Sequence, residues 1–139
     1  MRAILVLLLV VLLTGSGCVP TLADLLVGRK ASPREKAMLQ IEQFKLAIFE
    51  FYTDIGRYPS QQEGLTVLIE QPADEAAAKV WDGPYLGGET IPADPWGNAY
   101  VYRLRGKDGG PPYEIISFGA DGKEGGTGKD ADISSRSPE

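Results

Sequence analysis

The chain has 139 residues, with 14 Lys and Arg against 19 Asp and Glu, a formal net charge of −5, no His and one Cys. Without His there is no Ser-His-Asp triad, no Cys-His pair and no His-ligated zinc, and one Cys permits neither an internal disulfide nor a CxxC metal knuckle. An acidic chain is a poor nucleic-acid binder because phosphate contacts need clustered Lys and Arg, and a hydrophobic share of 43% suffices for a small core. A carboxylate-based function, an interaction module or a structural subunit survives these exclusions.

Arg2 precedes an unbroken apolar run over residues 3–13, followed by Thr14, Gly15, Ser16, Gly17 and Cys18. A positive start, a short apolar run and small residues before a cut site describe a signal peptide over residues 1–17. The run is too short to span a bilayer by itself. Cys18 after small residues resembles a bacterial lipobox and is the candidate lipidation site, although Gly15 stands where such boxes usually carry Leu. Residues 18–31 then form the lipid-anchor linker. Two other readings stay open: a plain signal peptide, and a membrane helix. No charge falls between Arg2 and Asp24, so residues 3–23 can form one Gly- and Pro-interrupted apolar helix with Cys18 as a small apolar residue. All three place the folded part outside the cytoplasm.

The folded domain is assigned to residues 32–133. Ser32-Pro33-Arg34-Glu35 marks a helix start: Ser32 as N-cap, Pro33 at the first helical position, Glu35 completing a capping box. Apolar residues recur as Ala37, Ile41, Phe44, Ile48, Phe51 and Ile55, one face of an amphipathic helix. Arg34, Gln40, Gln43 and Glu50 mark the opposite face, and Gly56 ends the helix as a left-handed cap.

A second capping box, Ser60-Gln61-Gln62-Glu63, predicts a short helix through Leu65, Leu68 and Ile69 that ends before Pro72. Residues 74–79 fit one helical turn. Trp81, Pro84, Gly87 and Gly88 read as an irregular loop with an aromatic anchor. Trp81 and Trp96 are expected as core anchors.

Asp94-Pro95-Trp96-Gly97 fits a type I turn. Residues 99–104 and 113–118 read as two strands of an antiparallel hairpin, joined by a flexible connection over 106–112. A lone hairpin is marginal in water, so it should pack on the long helix. Residues 134–139 carry no apolar anchor and are expected as a flexible tail.

Residues 118–133 hold four acids and five glycines and close on Ile133. Calcium takes six to eight oxygens at about 2.3–2.6 Å. Asp121, Asp130 and Asp132 can supply side-chain oxygens, and a Gly-rich turn can aim carbonyls inward. Asp130 and Asp132 are two apart, so in extended chain they face one side. The spacing is not that of an EF-hand. A solvated acidic loop is the alternative from the residues alone. An acid–base pair of carboxylates has no cleft to work in, so no catalytic residue is assigned.

These pieces, in this order, resemble the major pseudopilin of bacterial type II secretion, the general secretion pathway protein G family. The resemblance covers about residues 37–133. It rests on Phe51-Tyr52-Thr53-Asp54-Ile55-Gly56-Arg57-Tyr58-Pro59-Ser60, Gln62-Glu63-Gly64-Leu65, and Trp81-Asp82-Gly83-Pro84-Tyr85-Leu86. It rests further on Asp94-Pro95-Trp96-Gly97-Asn98-Ala99-Tyr100, on Ser117-Phe118-Gly119-Ala120-Asp121-Gly122-Lys123-Glu124-Gly125-Gly126, and on Asp130-Ala131-Asp132-Ile133.

The resemblance implies an α+β, pilin-like fold, with a long N-terminal helix on a small antiparallel sheet and a C-terminal calcium-binding loop. Asp121, Asp130 and Asp132 match the family's side-chain ligands, joined by a carbonyl near Phe118. It implies a calcium-stabilised, non-catalytic component of type II secretion in the bacterial envelope, facing the periplasm and anchored by an N-terminal lipid or helix. The implied partners are other pseudopilins or secretion-system proteins; no nucleic acid and no small-molecule substrate is expected. The departure is at the N-terminus. Met1-Arg2-Ala3-Ile4 shows neither the family's prepilin-peptidase site nor the Glu of its apolar helix, although Val19-Pro20 resembles the Val-Pro after that helix. A solitary envelope lipoprotein that binds a protein partner through the same domain is therefore the second expectation.

Overall fold

A computed structural model describes residues 30–106 and 112–136 of the chain. The expected signal segment, the linker up to residue 29, Cys18 and residues 137–139 lie outside the described residues, as does most of the connection between the two strands.

Helix α1 spans Pro33–Ile55. Its capping box forms in both directions. The Glu35 N–H donates to Ser32 Oγ at 3.2 Å, and the Ser32 N–H donates to Glu35 Oε2 at 2.6 Å. Such a cap satisfies amide groups that the helix leaves unpaired, and a lost cap costs about 1 kcal/mol. Gly56 closes the helix in the left-handed region, its N–H donating to the Tyr52 carbonyl at 2.8 Å. Ala37, Ile41, Phe44, Ala47, Ile48 and Phe51 are buried along one face, and Ile55 packs at its margin. Burial of each large side chain there stabilises by roughly 1.5–3 kcal/mol. The far side is less polar than expected: Leu39, Leu46 and Phe49 stand exposed among its charges.

The second capping box also forms, between Ser60 and Glu63, at 2.7 and 3.2 Å. The helix it was expected to open does not. Gly64 turns into the left-handed region at φ 55°, which breaks the helical path after one turn, and only a 3-10 turn over Thr66–Leu68 follows. Gln61 is redirected to the sheet. Its side-chain amide donates to the Tyr102 carbonyl at 2.9 Å, and its Oε1 accepts the Leu104 N–H at 2.8 Å. One Gln side chain thus mimics a neighbouring strand on an open sheet edge.

Helix α2, Glu75–Val80, starts at Asp74, whose Oδ1 accepts the Ala77 N–H at 2.8 Å. The Trp81 indole N–H donates to the Val67 carbonyl at 3.1 Å, and Trp81 and Trp96 both pack against the core. Tyr85 meets Phe51 and Trp81 edge to face.

The sheet has three antiparallel strands in the order β1 (Val101–Leu104), β2 (Tyr113–Ser117), β3 (Ile133–Ser134). Val101 lies opposite Ile116 and Leu104 opposite Tyr113. The hairpin is as expected, with slightly shorter strands. Strand β3 was not expected. Ser117 pairs with Ile133 and Ile116 with Ser134. The flexible tail assigned from residue 134 is corrected here. The Ser135 N–H donates to the Ile115 carbonyl at 2.9 Å, its Oγ accepts the Ile115 N–H at 3.0 Å, and the Arg136 N–H donates to Ser134 Oγ. Backbone pairing and short hydroxyls hold this segment where no apolar side chain does. With β3 on its flank, β2 is the central strand and is buried throughout.

Candidate functional site

The loop that joins β2 to β3 carries the predicted site residues. It begins against a turn that precedes β1. Asp94 is only 4% exposed, and its Oδ1 accepts the Trp96 N–H at 3.1 Å and the Asn98 N–H at 2.8 Å. The Gly97 N–H donates to the Asp94 carbonyl at 2.9 Å, which closes the expected turn. The Ser117 hydroxyl donates to Asp94 Oδ2 at 2.6 Å. A buried carboxylate is tolerated because each oxygen is satisfied.

Residues Gly119–Asp121 form a 3-10 turn after Phe118, and Gly128–Asp130 form another before β3. The two turns pack directly together. Glycine makes that approach possible. A Cβ on Gly119 would lie 2.9 Å from the Lys129 and Asp130 carbonyl oxygens, and one on Gly126 would lie 2.4 Å from the Asp130 carbonyl oxygen. Gly119 also sits at φ 65°, which a side chain rarely adopts. The loop is further tied by the Arg34 side chain, which donates to the Ala131 carbonyl at 3.4 Å, and by an Arg103–Glu124 ion pair at 3.0 Å. Arg103 also lies over the Phe118 ring, 5.7 Å from its centre.

The candidate ligands share this loop but hold separate local partners. Asp121 Oδ1 accepts the Lys123 N–H at 3.1 Å. Asp130 Oδ1 pairs with the Lys129 ammonium at 2.6 Å, and that hydrogen bond raises the lysine pKa above its ordinary value. Asp132 Oδ2 accepts the Gly125 N–H at 3.0 Å. Among the described residues no three acidic side chains converge as a finished metal cage.

One atom nevertheless suits a hard cation. Asp132 Oδ1 is buried, and among the described residues no donor reaches it. A carboxylate oxygen is an acceptor only, so burying one bare is unfavourable unless a cation or donor meets it. The donor set in the loop is all oxygen, from carboxylates and carbonyls, as calcium requires. The Lys129–Asp130 pair is surface-exposed, and exposed pairs contribute little, so the pair would be a small obstacle to a divalent ion.

Asp94, Asn98 and Ser117 fix the start of the loop, and their meeting there is not legible in the sequence. The one local signal is Asp94 at the first position of the expected turn, where an Asx side chain caps the backbone two residues on.

Comparison with known proteins bears on the whole fold. The family described as "Type II secretion system (T2SS), protein G" matches residues 25–136. The type II secretion system core protein G of Pseudomonas aeruginosa is 43% identical over 95 residues, which span 67% of this chain and 63% of that protein. Its counterpart in Vibrio cholerae is 33% identical over 110 residues, 79% of this chain and 73% of that protein. In Xanthomonas campestris the identity is 31% over 131 residues, 94% of this chain and 85% of that protein. The crystal structure of the major pseudopilin from the type 2 secretion system of enterohaemorrhagic Escherichia coli superposes with a TM-score of 0.58 at 28% identity, covering 74% of this chain and 85% of that one.

Proposed function

This chain belongs to the type II secretion system protein G family of pseudopilin structural components, and we propose that it serves there as a calcium-stabilised, non-catalytic subunit. Its globular domain faces the periplasm, and its N-terminal segment attaches it to the membrane, by a lipid on Cys18 or by an apolar helix. Its partners are other pseudopilins and secretion-system proteins.

The observation that carries the subunit reading is the match across residues 25–136, which takes in the capped helix, the hairpin and the Gly-rich loop in one order. The calcium reading draws its support from the bare, buried Asp132 Oδ1, in a loop whose Lys129 and Asp130 carbonyls are packed on glycines. Asp121, Asp130, Asp132 and the Phe118 carbonyl are the proposed ligands. Bound calcium supplies positive charge that joins the two loop turns, and it stabilises the folded chain by mass action.

The test is expression of the full chain in a secretion-competent bacterium that lacks its own core protein G. The expected result is restored release of an exported enzyme, with the chain recovered among sheared surface filaments. No release and no filament association overturns the subunit reading. Mass spectrometry of the mature N-terminus separates the two anchors. A lipidated Cys18 on a chain that never enters filaments returns the reading to a solitary envelope lipoprotein.

A further inference from the structure

We infer that Asp94, Asn98 and Ser117 form a positioning device for the calcium loop, an inference that rests on the calcium reading above. None of the three is a proposed ligand. Together they hold both polar groups of one backbone residue, Gly119. The Gly119 N–H donates to Ser117 Oγ at 3.3 Å, and Asn98 Nδ2 donates to the Gly119 carbonyl at 2.9 Å. Ser117 is fully buried and is itself fixed by Asp94. Asn98 is fixed through its backbone: its N–H donates to Asp94 Oδ1, and its carbonyl accepts the Asp94 N–H at 2.8 Å.

Gly119 is the point through which this device acts. It follows Phe118, whose carbonyl is a proposed ligand, and it opens the turn that ends at Asp121. On its other side it leaves no room for a side chain, since an added Cβ would lie 2.9 Å from the Lys129 and Asp130 carbonyl oxygens. The Asn98 amide oxygen lies against Gly122, where an added Cβ would come within 2.9 Å of it. The Asn98 side chain therefore brackets Asp121 between Gly119 and Gly122.

A Gly-rich loop loses much conformational entropy on ordering, so a cation binds it tightly only if the loop is already held. Partners that orient metal ligands typically change affinity about 10–100-fold when removed. The device has that character: a saturated, buried carboxylate serves a turn, and the turn serves the loop.

The test is calorimetric titration of the full chain with calcium chloride, alongside thermal melting in chelator. Asn98→Ala removes the side chain, and Asn98→Asp keeps its volume while removing the donor to Gly119. Glu63→Gln, remote from the loop, is the control for destabilisation alone. The expected result is calcium affinity weakened about tenfold or more in both Asn98 variants, with wild-type affinity in Glu63→Gln despite its lower melting temperature. Wild-type affinity in Asn98→Ala, which adds no charge, overturns the positioning role while leaving the calcium reading intact. If the wild type gives no calcium heat and no calcium-dependent rise in melting temperature, the calcium reading fails, and this inference falls with it.

Discussion

Glu63 offers the most direct check on the packing of the helix end. Its two oxygens take the Arg57 guanidinium at 2.7 and 2.8 Å, and Oε2 also accepts the Ser60 N–H at 2.7 Å. The Arg57 hydrogen bonds hold the Glu63 pKa down at about 2, against an ordinary value of 4.5, with burial opposing and Ser60 assisting. At about 1.36 kcal/mol per tenfold change that fall corresponds to roughly 3 kcal/mol. The Glu63 side chain is 18% exposed but Arg57 is 40% exposed, so solvent screening reduces the contribution to about 1–2 kcal/mol. The folded pKa is depressed, so the stability is present above the unfolded value and is lost as pH falls from about 4.5 towards 2. Glu63→Gln should therefore be less stable at pH 7 by about 1–2 kcal/mol, roughly 5–10 °C in melting temperature for a domain of this size. Urea denaturation of wild type and variant across pH 7 to 2 measures the gap, and other carboxylates titrate alike in both chains. The gap should close with acid. A gap that persists unchanged at the lowest pH would refute the charge-based account and leave only shape.

Other expectations concern the loop and the core. Asp132→Asn should abolish the calcium-dependent rise in melting temperature, while in chelator it should hold or raise stability, since an amide relieves the bare buried oxygen; an unchanged calcium response would remove Asp132 from the ligand set. Gly126→Ala should destabilise by about 1–3 kcal/mol in denaturant titrations, because its Cβ meets the Asp130 carbonyl at 2.4 Å and its φ is 86°. Phe51→Ala should cost about 3–5 kcal/mol, and Phe49→Ala within about 0.5 kcal/mol, as the first ring is fully buried and the second is 67% exposed. Equal losses at the two positions in chemical denaturation would mean that the helix faces are assigned wrongly.

The parts of the fold legible in the sequence are those with a local physical cause. Ser32 and Glu35 announce a helix start because both partners of the cap lie within four residues, and the stripe from Ala37 to Phe51 announces a buried face by its period. The hairpin is legible from β-branched and aromatic runs around a turn. Where two local rules competed, the reading failed. At Ser60–Glu63 the capping box was real, yet Gly64 two places before the 3-10 turn outweighed it. The exposed Leu39, Leu46 and Phe49 lie off the period of the buried stripe, so the period says nothing of them. Strand β3 was invisible for another reason. Two residues have no period, and Ser134 and Ser135 enter the sheet through hydrogen bonds to β2 that depend on a distant partner.

The candidate site divides along the same line. Its acids and glycines are concentrated within residues 118–133, so composition alone draws attention to them. The contacts that fix the loop are not local to it: Asn98 reaches Gly119, Ser117 reaches Asp94, and Arg34 reaches Ala131 from the start of α1. Each contact is single, long in sequence and made by an ordinary polar side chain, so no spacing rule singles it out. The order of the motifs carries information that the spacing within each motif does not. A turn rich in Asp, Gly and Asn placed just before β1, and a Gly-rich loop placed just after β2, are brought side by side by antiparallel pairing of the strands. Once the hairpin register sets Val101 opposite Ile116, Asn98 and Gly119 each lie three residues beyond that pair, just outside the two strands, and their contact follows from the topology. That placement makes a small sheet sufficient to order a loop that its own glycines would otherwise leave free.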